Sequence, residues 1–308
     1  MRGAFANTLT ELAGRDPRIL LLTGDLGYMA LEPFAEQFPE RFFNVGVAEQ
    51  NMVGLATGLA EAGFIPFVYS IVSFAVLRPY EFIRNGPIQH QLQVRIVGVG
   101  GGMEYGSNGL SHYGLEDVAV LRTQPGITIL APADHQQTRA ALLASWDLPG
   151  PIYYRLGKDD KTTVAGLDGR FELGKLQRIG DGADLLLIAM GNIASEASAA
   201  LQALAARGVA CSLAIVAHVS PAPIDELVGL LAVFPAALAI ESHYAVGGLG
   251  SLVAEVIAER NLRCRLVRCG VHSLPDGVTG SQRYLYQRHG LSTDGLVATA
   301  LATLQEVQ

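Results

Sequence analysis

The first half of the chain alternates short apolar runs with stretches of helical periodicity. Residues 19–22 form a continuous apolar run that ends in Gly24-Asp25, which is typical of a buried strand followed by a turn. Phe5 and Leu9, by contrast, fall on one side of a helix. Repetition of the first pattern predicts strands at residues 19–23, 42–47, 65–69, 94–98, 127–131 and 152–155. The second pattern predicts helices at residues 5–13, 31–38, 49–63, 74–84 and 134–144.

The same alternation restarts after a polar, glycine-bearing and aperiodic stretch. This stretch, residues 158–181, is interpreted as a linker between domains of residues 1–157 and 182–308. Strands are predicted in the second domain at residues 185–190, 210–216, 237–240 and 263–268. Helices are expected to begin near Ser195, Ile224 and Leu249, and a last one to span residues 296–304. Strands that alternate with helices predict an α/β fold, here two doubly wound domains with helices on both faces of each sheet.

Composition narrows the class of protein. The chain has 308 residues, of which 50% are hydrophobic and only 17% are charged, so we expect large buried faces that include subunit interfaces. The net charge of −7 excludes a nucleic-acid-binding or membrane-surface protein. Three cysteines without metal-ligand spacing predict reduced thiols and no metal site. With no apolar signal core near the start and no apolar run long enough to span a membrane, a cytoplasmic location is expected.

Polar residues at the ends of predicted strands are the candidates for chemistry. Asp25 follows the first strand and could line a ligand crevice or cap the next turn. Glu49 stands at the start of a helix that carries two glycines four residues apart, and it could be functional or simply complement the helix N-terminus. Phe74 could offer a face to a flat ligand ring or belong to the core. Arg78 could face the same site or pair with Glu81.

Residues 43–52 read Phe-Asn-Val-Gly-Val-Ala-Glu-Gln-Asn-Met and resemble the signature of the transketolase family of thiamine diphosphate enzymes. The resemblance implies that Glu49 is catalytic: it bonds a ring nitrogen of the cofactor's aminopyrimidine and moves a proton there. It also implies that Phe74 stacks on this ring and that Asp25 lies by the cofactor across a subunit interface. The expected cofactor-binding set is completed by Tyr69 and Arg78.

The polar loop of residues 105–113 resembles the family loop whose histidine positions substrate and moves protons. The resemblance makes His112 a catalytic and substrate-binding residue, and it places Asn108 where an aspartate contacts sugar hydroxyls. Arg155 matches an arginine that binds sugar phosphate. Gly100 and Met29 replace two other family phosphate contacts, a histidine and a serine. We therefore expect a substrate other than a plain sugar phosphate.

Three glycine-rich strings carry no cofactor chemistry. Residues 98–102 fit neither nucleotide-binding spacing, and residues 247–251 resemble a structural turn of the family's C-terminal domain. Gly180-Asp181-Gly182 lacks the following asparagine at the spacing that a magnesium and diphosphate module needs. The resemblance thus covers the C-terminal two thirds of a full-length transketolase. It implies a partner, a diphosphate-binding large subunit that supplies the magnesium ligands, in an α2β2 heterotetramer with a homodimeric core.

The resemblance predicts a subunit of an enzyme that moves a two-carbon ketol unit from a ketose to an aldehyde, with sugars or sugar phosphates as substrates. Two other enzymes share this domain pair: the beta subunit of a 2-oxoacid dehydrogenase and a deoxyxylulose-phosphate synthase. A non-catalytic scaffold subunit is the alternative from another class. The presence of Glu49, Phe74 and His112 favours an enzyme.

Overall fold

The computed structural model describes residues 1–307, which fold around two β-sheets. The strands are β1 Ile19–Thr23, β2 Phe42–Asn44, β3 Ile65–Ile71, β4 Arg95–Val99, β5 Thr128–Leu130, β6 Ile152–Leu156, β7 Gln177–Ile179, β8 Leu185–Met190, β9 Cys211–Ile215, β10 His218–Ser220, β11 Ala236–Tyr244 and β12 Arg265–Val271. The helices are α1 Arg2–Arg15, α2 Glu32–Gln37, α3 Glu49–Glu61, α4 Val72–Val76, α5 Tyr80–Ile83, α6 Asp117–Arg122, α7 His135–Ser145, α8 Ala194–Ala205, α9 Ile224–Leu231, α10 Leu249–Glu259, α11 Gln282–Arg288 and α12 Thr293–Val307.

The first sheet has the strand order β10-β5-β6-β4-β3-β1-β2 and is parallel except for β10, which pairs antiparallel with β5. Helices cover both faces. Leu20 and Leu22 of β1 pack in one core with Met52 of α3, whereas Ile19 and Leu21 pack in the other core, which contains much of α1. Burial on both faces explains why the central strands read as continuous apolar runs.

The second sheet has the order β12-β11-β8-β9-β7. Its edge strand β7 lies inside residues 158–181, the stretch expected to be a linker, and pairs antiparallel with β9. The strand β10 likewise joins the first sheet although it comes from the second half of the chain. Both strands have three residues, too few for a period of two to be visible in the sequence. The two halves of the chain are therefore joined by one shared strand, β10, as well as by packing.

Two predicted elements are shorter than expected. The helix predicted at residues 74–84 is split into α4 and α5, with Pro79 between them. Pro79 lacks an amide hydrogen and cannot continue the hydrogen-bond pattern of α4. The strand predicted to reach residue 47 ends at Asn44, because Gly46 turns the chain with φ of +73°. Within residues 1–307, no helix is long and apolar enough to cross a membrane.

Glu104 is a carboxyl group held between the two halves of the chain. One of its oxygens, Oε2, accepts a hydrogen bond of 2.8 Å from the backbone amide of Lys158. Burial raises the pKa of Glu104 from its ordinary 4.5 to about 7, an effect that the hydrogen bonds from Lys158 and Asn192 only partly offset. This carboxyl group therefore keeps its proton in the folded chain at pH values where it would lose it in water.

Glu104 is expected to make the folded chain less stable as the pH rises from 4.5 to 7, the window given by its two pKa values. In this range the unfolded chain releases the proton while the folded chain still holds it. Since water reaches part of the side chain, the expected loss is about 1–2 kcal/mol. Urea unfolding across this window should show that Glu104→Gln lacks the loss, whereas the exposed control Glu40→Gln keeps it. If the free energy of unfolding depended on pH in the same way for wild type and Glu104→Gln, this expectation would be contradicted.

Candidate active site

Glu49 is the first residue of α3, and its side chain is only 2% exposed. Its Oε1 accepts a hydrogen bond of 3.3 Å from Ser70 Oγ at the carboxyl end of β3. Arg78 Nη1 lies 3.2 Å and 3.0 Å from the two carboxylate oxygens. A Cβ at Gly24 would stand 3.3 Å from the Gly46 carbonyl oxygen and 3.6 Å from Glu49 Oε1. The glycine thus lets the end of β1 run close beside a buried carboxylate that one arginine neutralises.

Phe74 is an aromatic residue that Arg78 links to this carboxylate. It lies in α4, directly after β3, and is half-buried. The Arg78 guanidinium carbon lies 3.8 Å from the centroid of the Phe74 ring. Arg78 therefore contacts both Glu49 and Phe74, and of the two roles considered for it the structure shows the one at the site. Its side chain is 43% exposed, so this contact lies at the mouth of the crevice.

His112 lies on the other side of Phe74. The two rings meet edge to face with centroids 5.1 Å apart, and the Tyr105 ring lies 6.0 Å from the imidazole. Ser111 Oγ is 3.0 Å from Nδ1 of the imidazole. Burial and the positive charge of Arg78 lower the pKa of His112 from its ordinary 6.5. The imidazole is therefore neutral at pH 7 and can either take or give a proton there, depending on its tautomer.

Lys158 is a site residue that the sequence reasoning missed. It follows the carboxyl end of β6, at the start of the stretch interpreted as a linker. Its ammonium lies 4.1 Å from the centroid of the Tyr105 ring, which in turn contacts His112. A cationic residue directly after a buried strand of a parallel sheet was the available signal, because such strand ends line ligand crevices. The site is thus a continuous row of side chains that runs from Glu49 past His112 to Lys158.

Asp25 lies near this row but does not contact it. The residue is exposed, with φ of 57°, and its Oδ1 accepts hydrogen bonds from Asn44 Nδ2 at 3.0 Å and Tyr28 Oη at 3.3 Å. Asn44, the last residue of β2, also binds the Asp25 and Gly46 amides through its Oδ1 at 3.0 Å. Asn44 therefore fixes the turn that follows β1 and the turn at Gly46 that precedes Glu49, a role that its place in the signature did not reveal.

Tyr69 points away from the site. Its side chain is 2% exposed and stacks on Phe5 of α1, with ring centroids 5.6 Å apart. Successive residues of a strand face opposite sides of the sheet, so Ser70 rather than Tyr69 reaches Glu49. The position of Tyr69 does not fit the predicted cofactor contact. Asn108 is exposed on the loop that carries His112, where its Oδ1 accepts from Ser107 Oγ.

Arg155 is also separated from the row. It is 2% exposed, and its Nε donates to Asp117 Oδ2 at 2.8 Å. Its Nη2 donates to the carbonyl oxygens of Gly114 at 2.8 Å and Ser242 at 2.9 Å. A buried guanidinium with these partners forms a structural ion pair, and this geometry does not support the predicted contact between Arg155 and a substrate phosphate. Arg155 lies near the carboxyl end of β6, where residues often line a crevice, but its side chain points into the protein interior.

The residues of the row fit one end of thiamine diphosphate. A buried carboxylate beside an aromatic face can hold an aminopyrimidine through a bond to a ring nitrogen and stacking on Phe74. Glycine at position 24 leaves room for this approach to Glu49. Among residues 1–307, no group of three or more His, Cys, Asp or Glu side chains is arranged to hold a metal ion.

Comparisons with known proteins agree with this geometry. Residues 1–162 match the pyrimidine-binding domain of transketolase, and residues 174–296 match its C-terminal domain. A putative transketolase C-terminal section from Methanocaldococcus jannaschii is 34% identical over 99% of this chain and 96% of its own length. One of the subunits of the apulose-4-phosphate transketolase of Phocaeicola vulgatus is 34% identical over 97% of this chain and 96% of its own length.

A solved structure, described as a split gene transketolase in an inactive beta4 tetramer, superposes with a TM-score of 0.88 at 34% identity. The match covers 100% of this chain and 98% of the solved one. The predicted α/β class and the family resemblance are thereby confirmed. The chain belongs to the transketolase family, whose members are thiamine diphosphate-dependent transferases that move a two-carbon ketol unit, and it is similar to the subunits of split enzymes that work with a partner chain.

Proposed function

We propose that this chain binds the aminopyrimidine end of thiamine diphosphate in a split transketolase, with Glu49 as the group that holds the proton at the ring nitrogen. The observation that carries the proposal is the buried Glu49 carboxylate beside the face of Phe74. When bound, the cofactor supplies a nucleophilic carbon that takes up the ketol unit. A carboxyl group can share and release a proton at this position, so Glu49 supplies the acid–base step on the protein side.

The other residues of the row bind and orient. Phe74 offers a flat apolar face, and Arg78 at the crevice mouth compensates the charge of Glu49. His112 is neutral at pH 7, so it can accept a proton from a substrate hydroxyl or donate one to a carbonyl oxygen. Asn108, exposed on the same loop, is assigned to sugar hydroxyls by the family resemblance, and its amide can both donate and accept there. These assignments follow the family roles for the residues that the structure brings to one crevice.

The magnesium and diphosphate ligands are assigned to a partner subunit. The two relatives described above are themselves a transketolase section and a transketolase subunit of nearly the same length as this chain. The solved relative, a tetramer of beta chains alone, is described as inactive. These findings support an α2β2 assembly, which we place in the cytoplasm. In it the partner carries the Gly-Asp-Gly and asparagine ligands, because Gly180-Asp181-Gly182 of this chain is not followed by an asparagine at the spacing that such a module needs.

The purified chain alone is expected to show no ketol transfer and no micromolar binding of thiamine diphosphate with magnesium. The reason is that this chain offers only the aminopyrimidine end of the site. Isothermal titration calorimetry and a turnover assay, on the chain alone and on the chain mixed with a diphosphate-binding subunit that carries Gly-Asp-Gly, measure this directly. Binding and turnover should appear only in the mixture. Turnover by the chain alone would overturn the split-enzyme proposal.

The substrate is proposed to carry an anionic end that meets Lys158. Arg155 is engaged in a buried ion pair, and neither Gly100 nor Met29 offers a charge, so the proposal assigns the anionic end to Lys158, which contacts Tyr105 at this end of the row. One relative is named for apulose-4-phosphate, a phosphorylated sugar. This supports the expectation that the substrate differs from the common sugar phosphates while keeping a negative group.

A further inference from the structure

The loop that carries His112 is closed at its base by a backbone pair. Gly102 and Gly114 exchange two hydrogen bonds, of 2.9 Å and 2.8 Å. Between them the chain makes two short helical turns, Gly106–Asn108 and Leu110–His112. Residues 102–114 are called the His112 loop below. Short turns of this kind have few internal hydrogen bonds, so the position of the imidazole depends on what the loop packs against.

The second domain contacts this loop directly, beside the imidazole. The hydroxyl of Tyr113 lies 3.1 Å from the carbonyl oxygen of Gly106 and 3.2 Å from that of Val278. The backbone amide of Gly280 donates to the same Gly106 carbonyl at 3.2 Å. Tyr113, the residue next to His112, is 2% exposed. The buried Tyr113 hydroxyl thus lies between the first turn of the loop, at Gly106, and the segment at Val278 that precedes α11.

The contact leaves no space at Gly106. A Cβ at this position would lie 2.4 Å from the carbonyl oxygen of Gly280 and 2.6 Å from a methyl carbon of Leu285. At the base of the loop, Arg155 donates to the carbonyl oxygens of both Gly114 and Ser242, and Ser242 belongs to β11 of the second sheet. The second domain therefore holds the His112 loop at two separate places, near its tip and at its base.

We propose that the second domain is a clamp that sets the position of His112, and that Tyr113 is a positioning residue through which it acts. The proposal rests on the proposed role of His112 in substrate binding and proton transfer. It assigns a task to a domain that contributes none of the row from Glu49 to Lys158. It also explains why the contact is made through a buried tyrosine hydroxyl and a glycine, which allow one close arrangement.

The pKa of the His112 imidazole shows whether the second domain holds the loop in place. The groups that face His112 are Phe74 and Arg78 from the side of α4 and α5, and Tyr105 and Ser111 from its own loop. If the loop moves away, the imidazole leaves Arg78 and gains water, and its pKa should return towards 6.5. A purely structural role for Tyr113 would lower thermal stability without moving this titration.

The first experiment compares Tyr113→Phe with Tyr154→Phe in the full chain. Tyr154 is the matched control, because it also has a buried hydroxyl, 2.8 Å from Ser145 Oγ, but lies in the other core. NMR titration, with the His112 signal assigned through His112→Gln, should show a raised His112 pKa in Tyr113→Phe only. In the complex with its partner, Tyr113→Phe should lower kcat about tenfold with little change in KM, as expected for misplacement of a catalytic group.

A second pair of variants widens the contact instead of removing a bond. Gly106→Ala forces the loop and the second domain apart, while Gly229→Ala adds a methyl group on α9 where nothing lies within 4 Å. Gly106→Ala should move the His112 titration at least as far as Tyr113→Phe does. Folded Tyr113→Phe and Gly106→Ala proteins that both keep the wild-type titration would overturn the clamp.

Amide hydrogen exchange on the wild-type chain decides the matter even if both variants fail to fold. The clamp requires residues 105–113 and 278–280 to exchange with the same opening free energy, as one unit. Exchange of the loop at a lower free energy than residues 278–280 would contradict it. The titration and exchange measurements need no turnover, so they test the clamp even if the complex proves to have no transketolase activity.

Discussion

Glu49→Gln is expected to lower turnover in the complex at least about 100-fold, the scale of a lost acid–base group. Glutamine has nearly the shape of glutamate, and its amide oxygen can still accept the hydrogen bond from Ser70 at 3.3 Å. It cannot hold the proton that is shared with the ring nitrogen. The change therefore removes proton transfer while leaving most of the packing at the start of α3 in place.

The proton transfer by Glu49 is measured through hydrogen exchange at the reactive carbon of the bound cofactor. This measurement does not depend on substrate. Ser70→Ala is the matched control, because it removes a neutral partner of the same carboxylate. We expect it to change exchange by less than about tenfold, the value of one ordinary hydrogen bond. Exchange in Glu49→Gln at the wild-type rate would mean that Glu49 only complements the N-terminus of α3.

The part of the site that lies in one continuous stretch could be predicted from the sequence. The apolar spacing of Met52 and Ala56, after an apolar run, already places Glu49 at the buried start of a helix that follows a strand. Phe74 follows β3 directly, so the carboxyl end of that strand brings it to the same edge of the sheet. Local pattern and position at a strand end were sufficient to bring both residues to one edge of the sheet, and the family resemblance supplied their roles.

The sequence could not predict the features that depend on side-chain direction or on a partner distant in the chain. Tyr69 and Ser70 are neighbours on one strand, and a period of two separates them onto opposite faces of the sheet. Only the packing of Tyr69 on Phe5 shows which of them reaches the site. Arg155 turns inward because Asp117 and Ser242 lie behind it, and these residues are far away in the sequence. No local pattern indicates such partners.

Arg155→Met is expected to destabilise the chain by about 3–5 kcal/mol, because it leaves the Asp117 carboxylate buried without its cation. Asp117 is 1% exposed, and its Oδ2 would keep only the hydrogen bond from Tyr153, while Oδ1 already has no hydrogen-bond partner among the described residues. The double variant Arg155→Met/Asp117→Leu removes both buried charges and that unpaired oxygen. It should regain most of the loss, and urea unfolding of the three proteins measures this.

The variant Lys158→Gln is expected to affect substrate binding and not stability, in contrast to the variants of the Arg155–Asp117 ion pair. Its ammonium lies over the Tyr105 ring without a buried partner charge, so stability should change by less than about 0.5 kcal/mol. A lost charge-assisted bond is worth roughly 1.5–3 kcal/mol, so KM for an anionic substrate should rise about tenfold or more. Steady-state kinetics of the complex measures it. A KM that rises in the double variant at Arg155 and Asp117 but not in Lys158→Gln would return the anion contact to Arg155. A KM that rises in Lys158→Gln but not in the double variant means that Lys158 contacts the anionic end of the substrate, while Arg155 holds the two domains together.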